Sequence, residues 1–144
     1  MKRVYPIERY CMACGLCRIG CAVAHSKSGH VLKFRRESPR PKPRTSVPEV
    51  DSVSFSLMCR HCDDAPCLEA CITGAMHRDE RGAIVVDQNK CIGCWMCIMV
   101  CPYGVIEREL EGRKVASKCD LCAEREVPAC VEWCPNRALV YEER

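Results

Sequence analysis

Cysteine placement constrains this chain more than any other feature. Sixteen of its 144 residues are cysteine, and they fall into four sets of four. The most regular set is Cys91, Cys94, Cys97 and Cys101, spaced C-x2-C-x2-C-x3-C with Pro102 behind it. Cys11, Cys14, Cys17 and Cys21 repeat that spacing, with Ala22 where the proline would stand. Cys59, Cys62, Cys67 and Cys71 follow C-x2-C-x4-C-x3-C, and Cys119, Cys122, Cys130 and Cys134 follow C-x2-C-x7-C-x3-C before Pro135. Two-residue gaps let three thiolates wrap corners of one cubane while the loop turns its N–H groups toward the sulfides. A fourth thiolate three residues on points away, toward a second centre. Spacing of this kind is a ligand run for [4Fe–4S] clusters.

Two other uses of so many cysteines fit less well. A disulfide framework belongs to small secreted chains, but Met1 to Tyr10 carries Lys2, Arg3 and Arg9 and no apolar signal core. Zinc sites pair two C-x2-C or Cys/His hairpins, whereas here three cysteines crowd one loop in two of the sets. No apolar run reaches membrane-spanning length. The expectation is a chain that is not exported by its own signal, is not inserted in a membrane and resides in an anaerobic cytoplasm, since exposed clusters oxidise readily. Aromatic residues make up only 6% of the chain, so two small modules would have meagre apolar cores. Metal ligation coupled to folding supplies the difference, and the cluster-free chain is expected to be largely unfolded. The formal charge is +3. Four oxidised clusters at about −2 each would bring it to roughly −5, so the basic balance is no argument for nucleic acid.

Along the chain, a short helix is expected from near Leu16 to about Ala24. Residues 26–48 set Lys27, Lys33, Arg35, Arg36, Arg40, Lys42 and Arg44 against the single acid Glu37. Pro39, Pro41, Pro43 and Pro48 exclude a helix over 38–50. This segment reads as an extended arm that lies on a neighbouring subunit, or as a solvated loop between two modules; it lacks the interleaved aromatics of a nucleic-acid arm. Val53-Ser54-Phe55-Ser56-Leu57 alternates as a strand. Residues 73–77 and 83–87 read as a hairpin, with Gly82 at the turn. A second hairpin joins 104–110 to 113–117, and Ala138 to Tyr141 forms a last strand. His61 sits inside a complete quartet, so it is expected behind the ligands or at the surface. Lys118 and Arg60 adjoin ligands and would raise the local potential, while Asp63 and Asp120 would lower it. Met58, Trp95, Met96, Met99 and Trp133 are expected to pack around the clusters and keep water out.

The four spacings, with CRHCDDAPC, CIGCWMCIMVCPYG and CDLC…PACVEWCPNRALVYE, resemble the four-cluster, ferredoxin-like electron-transfer subunits of anaerobic oxidoreductases. The compact type beside carbon monoxide dehydrogenase or tungsten aldehyde oxidoreductase is the most similar; the subunits of formate dehydrogenase and dimethyl-sulfoxide reductase are related. The chain departs from larger members in lacking a C-terminal anchoring extension, which speaks against a membrane-bound respiratory complex. It also lacks a proline after Cys21 and Cys71. The resemblance implies an α+β fold of two bacterial-ferredoxin-like modules, one inserted in the other, with short helices and β-hairpins around four [4Fe–4S] clusters. Residues 1–25 and 109–144 would form the outer module, 26–52 the basic connecting arm and 53–108 the inserted module. It further implies crossed ligation. One cluster would take Cys11, Cys14, Cys17 and Cys134, and a second Cys59, Cys62, Cys67 and Cys101. A third would take Cys91, Cys94, Cys97 and Cys71, and the fourth Cys119, Cys122, Cys130 and Cys21.

With every thiolate engaged and no Gly-rich phosphate loop, the chain has no catalytic residue of its own. It is expected to pass single electrons between a catalytic subunit, a tungsten or molybdenum enzyme or carbon monoxide dehydrogenase, and a flavin-containing NAD oxidoreductase, a ferredoxin or a hydrogenase. Head-to-tail assembly of copies would extend the wire. The alternatives are a freely diffusing polyferredoxin, or an iron–sulfur sensor or maturation scaffold. The scaffold would leave an iron under-ligated or carry an effector domain.

Overall fold

A computed structural model describes residues 1–144. In chain order its elements are β1 (Arg3–Pro6), α1 (Leu16–Ala24), β2 (Thr45–Ser46), β3 (Glu49–Val50), β4 (Val53–Ser54), β5 (Leu57–Met58), α2 (Pro66–Glu69), β6 (Met76–Arg78), β7 (Ile84–Val86), α3 (Met96–Val100), β8 (Glu107–Glu109), β9 (Val115–Ser117), α4 (Ala129–Glu132) and β10 (Leu139–Glu142). They form two compact units, one of Met1 with Cys59–Asp120, the other of Lys2–Met58 with Leu121–Arg144. Short helices and two-stranded antiparallel sheets make up both, an α+β build.

The continuous unit holds two hairpins, β6–β7 with Met76 opposite Val86, and β8–β9 with Glu107 opposite Ser117. Helices α2 and α3 pack together. Pro66 at the first turn of α2 supplies a preset φ and gives up an N–H that the helix would not use. The core gathers Met76, Ile84, Ile106 and Ala116 around Cys67 and Cys97. Cysteines occupy core positions that aliphatic side chains fill elsewhere. The unit ends at Asp120 rather than at the expected 108, because the second hairpin buries Ala116 in this core.

The other unit begins and ends in one sheet. Strand β1 pairs with β10, Val4 opposite Tyr141 and Pro6 opposite Leu139. The partner of the expected last strand is thus a stretch that composition marked only as basic. Helix α1 has the expected limits. It starts after Gly15, whose φ of 72° is a conformation glycine adopts without a Cβ penalty. It packs on α4, and a Cβ at Gly20 would stand 2.6 Å from Cγ of Trp133, so only glycine lets this ring so near.

Two expectations change here. The basic segment is folded into this unit rather than extended throughout. It forms a 3-10 turn at Phe34–Arg36, and its one acid, Glu37, accepts the N–H groups of Lys27 and Ser28, both at 2.9 Å. Further on, β2 pairs with β5 and β3 with β4, so residues 53–58 belong with this segment and not with the inserted unit. The strand expected over 53–57 is broken at Phe55 and Ser56, and its burial phase is reversed. Ser54 and Ser56 are buried while Val53 is 41% exposed. Hydrogen bonding explains the reversal: Ser54 Oγ donates to Cys11 O at 3.3 Å, and Ser56 Oγ meets Thr45 Oγ1 at 2.8 Å. A polar face with partners is buried here at the expense of an apolar one.

Candidate iron–sulfur centres

The four quartets share a backbone device that their sequences hide. The residue just before the second cysteine is Ala13, His61, Gly93 or Leu121, and its φ is 55°, 47°, 70° or 56° respectively. Left-handed backbone is rare outside glycine, yet three of the four are not glycine. The recurrence marks a turn that each loop needs in order to swing two cysteines onto one side. In the two C-x2-C-x2-C loops the residue after the second cysteine is left-handed as well, Gly15 at 72° and Trp95 at 65°. Successive N–H groups in such turns make an anion-binding concavity, the surface that sulfides require.

Thiols from different quartets converge. Cys11, Cys14, Cys17 and Cys134 line one recess, together with Ser56 and no charged side chain. Cys71, Cys91, Cys94 and Cys97 line another, again with no charged side chain. Burial pushes the Cys17 thiol up; a Ser56 hydrogen bond opposes this, and the sulfurs of Cys134 and Cys14 add to it. Burial pushes Cys97 up to about 11, helped by Cys91, Cys94 and Cys67. Cys67 is raised by burial against the pull of Lys118, with Cys59, Cys101 and Cys62 adding like charge. Sulfurs from distant quartets thus lie near enough to act on one another: Cys134 on Cys17, Cys101 on Cys67 and Cys67 on Cys97. Cys21 and Cys130 lie on the packed pair α1 and α4, and both are buried. Cys122 follows in the same unit, while Cys119 is the penultimate residue of the other. None of the sixteen is joined in a disulfide. All-thiolate, carboxylate-free recesses are the soft donor set that suits an iron–sulfur cluster.

The surrounding backbone donates to these sulfurs. Cys71 Sγ accepts from Met76 N at 3.3 Å, Cys91 Sγ from Ala116 N at 3.4 Å, Cys134 Sγ from Ala138 N at 3.2 Å and Cys21 Sγ from Arg44 N at 3.2 Å. Burial alone would raise Cys71, but the Met76 N–H and the Thr73 hydroxyl and N–H outweigh it and hold the thiol below its ordinary value. Such bonds favour the charged sulfur and tune potential. The donors Met76, Ala116 and Ala138 come from strands β6 and β9 and from the approach to β10. The hairpins therefore serve the ligands directly, a role that their alternating sequence does not announce. Ser56 was likewise invisible, because its strand pattern pointed it outward.

His61 is fully buried rather than at the surface, and its Nδ1 accepts the Ile84 N–H at 3.0 Å. That bond takes the Nδ1 lone pair and leaves the ring proton on Nε2. Lys118 is buried at 3% exposure, and its ammonium donates to Ile84 O and to Cys119 O. Met58 is buried as expected, but Met96 and Met99 are 46% and 77% exposed and shield nothing. Both lie on a five-residue helix whose inward face is taken by Cys97, which leaves them facing solvent. Trp133 packs on Gly20, and Trp95 lies under the Arg108 guanidinium, 5.3 Å from its ring centre. No helix is long and apolar enough to cross a membrane.

Comparison with known proteins agrees with this geometry. The profile of the 4Fe-4S dicluster domain matches residues 50–144. An "Iron-sulfur protein" of Rhodospirillum rubrum is 37% identical over 94% of this chain and 79% of its own length. The "Electron transport protein HydN" of Escherichia coli K12 is 37% identical over 93% of this chain and 83% of its own. Among solved structures, a chain of the active site complex BamBC of benzoyl coenzyme A reductase superposes with a TM-score of 0.52. It covers all of this chain and 78% of its own, and at 22% identity it speaks for the fold alone. Sixteen cysteines in four loops that share a left-handed turn, with that profile over three of them, make the chain a member of the 4Fe-4S dicluster family, an iron–sulfur protein of ferredoxin-like build.

Proposed function

We propose that the chain carries single electrons through four [4Fe–4S] clusters and performs no bond chemistry of its own. The observation that carries this reading is the convergence of thiols from distant quartets in shared recesses, Cys134 with Cys11, Cys14 and Cys17, and Cys71 with Cys91, Cys94 and Cys97; Cys101 also acts on Cys67. It supports the crossed sets Cys11, Cys14, Cys17, Cys134 and Cys59, Cys62, Cys67, Cys101. The recess lined by Cys71, Cys91, Cys94 and Cys97 supports the third. The fourth, Cys119, Cys122, Cys130 and Cys21, is the set that the family resemblance implies. Bound clusters supply reversible one-electron chemistry. The chain's part is to fix the spacing of the centres and set their potentials. The N–H groups of Met76, Ala116, Ala138 and Arg44 stabilise added negative charge on the sulfurs that they meet. Helices α2 and α3 pack together, and Cys67 lies close enough to Cys97 to affect its thiol, which supports two neighbouring centres within one unit.

The two units are read as two-cluster modules, the continuous one inserted in the other. A carrier of this kind needs a donor and an acceptor. We assign a catalytic oxidoreductase subunit of the tungsten, molybdenum or carbon monoxide dehydrogenase class at one end. A flavin-containing NAD oxidoreductase, a ferredoxin or a hydrogenase stands at the other. Two relatives bear the names iron–sulfur protein and electron transport protein, which supports the carrier role. Exposure of Cys14 and Cys94 suits an anaerobic cytoplasm. Anaerobic affinity capture of the native protein tests the assignment. Co-elution of a metal- or flavin-containing enzyme that reduces the captured protein supports it. Cluster-loaded protein with no partner at any salt concentration would instead favour a freely diffusing polyferredoxin.

A further inference from the structure

One cation is built into the interior, beside the loop of Cys59 and Cys62 and against the carbonyl of Cys119. Lys118 is buried, and both of its hydrogen bonds go to neutral carbonyl groups, Ile84 O and Cys119 O, the latter at 3.2 Å. An ammonium taken out of water needs a compensating negative charge nearby, and neutral carbonyls do not supply a full one. Ile84 shows where that charge would be. Its carbonyl holds Lys118, while its N–H is held by His61 Nδ1, and His61 lies in the turn between Cys59 and Cys62. Cys67 completes the same corner, and Lys118 is the largest influence that draws its thiol toward the thiolate. The recesses of Cys11, Cys14, Cys17, Cys134 and of Cys71, Cys91, Cys94, Cys97 have no charged lining. Arg60, also beside this loop, is only partly buried, so solvent screens its charge.

We propose that Lys118 is the counter-charge of the centre held by Cys59, Cys62, Cys67 and Cys101, and makes it the most easily reduced of the four, where an electron comes to rest. The proposal rests on the ligand set proposed above. In the step itself one electron enters from the redox partner, the centre gains one negative charge, and no bond or proton moves. An unscreened ammonium favours that more negative state.

Anaerobic redox titrations followed by electron paramagnetic resonance, with iron counted in each sample, test this on the wild type, Lys118→Met and Lys118→Arg. In Lys118→Met one transition is expected to move to lower potential by at least tenfold in its reduced-to-oxidised ratio, about 59 mV for one electron. The others stay in place. The transition that moves should be the highest in the wild type and the one altered by Cys101→Ser. Lys118→Arg keeps the charge and should leave it unmoved. No movement in Lys118→Met, equal movement of all transitions, or movement of a different one overturns the proposal. If Lys118→Met binds less iron, Lys118→Arg decides: restored iron at the wild-type potential upholds the role of charge, and equal depletion overturns it. A wild type lacking four transitions refutes the four-centre reading itself, a result distinct from any change seen only in the variants.

Discussion

A side chain at Gly93, in the Cys91 loop, would meet backbone, and replacing this glycine with alanine separates two causes of strain. Its φ is 70°, and a Cβ there would run into the carbonyl oxygen of Lys114, at the turn of the second hairpin. Ala13 occupies the same loop position in the first quartet at φ 55°, so a left-handed alanine is by itself compatible with such a loop. The φ cost is about 1–2 kcal/mol. Overpacking against backbone adds about 1–3 kcal/mol, because a carbonyl cannot swing aside as a flexible side chain can. Gly93→Ala should therefore cost about 2–5 kcal/mol in all. The strain would be relieved by lifting the hairpin, which also breaks the bond from Ala116 N to Cys91 Sγ. Gly104→Ala is the matched control, with φ 60° and nothing within 4 Å of its Cβ, so only the φ cost applies. Anaerobic urea denaturation followed by loss of the visible cluster absorbance reads both. Gly93→Ala should bleach at clearly lower urea than Gly104→Ala. Coincident curves would refute the claim that the hairpin turn rests on the cluster loop.

Cys101→Ser should damage the centre of Cys59, Cys62 and Cys67 and spare that of its own loop, read as which spectroscopic signal disappears; selective loss of the Cys91-loop signal would refute the crossing. Gly20→Ala should lower the thermal midpoint of the loaded protein by an amount equivalent to about 1–3 kcal/mol, because Trp133 must leave α1; an unchanged midpoint would deny the close packing of α1 and α4.

Much of this was legible in the sequence, and what was not has a physical reason. Cysteine spacing marked the four loops that share the left-handed turn, because a repeated spacing calls for a repeated backbone path. Helix α1 was legible because Gly15 starts it and its apolar residues recur at helical intervals. Strand β1 was not, since four residues paired with the far end of the chain carry no local signal. The phase of residues 53–57 was misread, because alternation reports which face is apolar and not which face has hydrogen-bond partners waiting. Methionines next to cysteines suggested shielding, but a five-residue helix has one inward face, and Cys97 occupies it. The unit boundary at 120 escaped notice because the second hairpin joins this core through Ala116 and through Ile106 just before β8, while β8 itself is polar and mostly exposed.

The most direct test of the account is iron and acid-labile sulfide per chain in protein isolated without oxygen. The account predicts about sixteen of each, four clusters on sixteen thiolates. About half that amount, or zinc in place of iron, would contradict it.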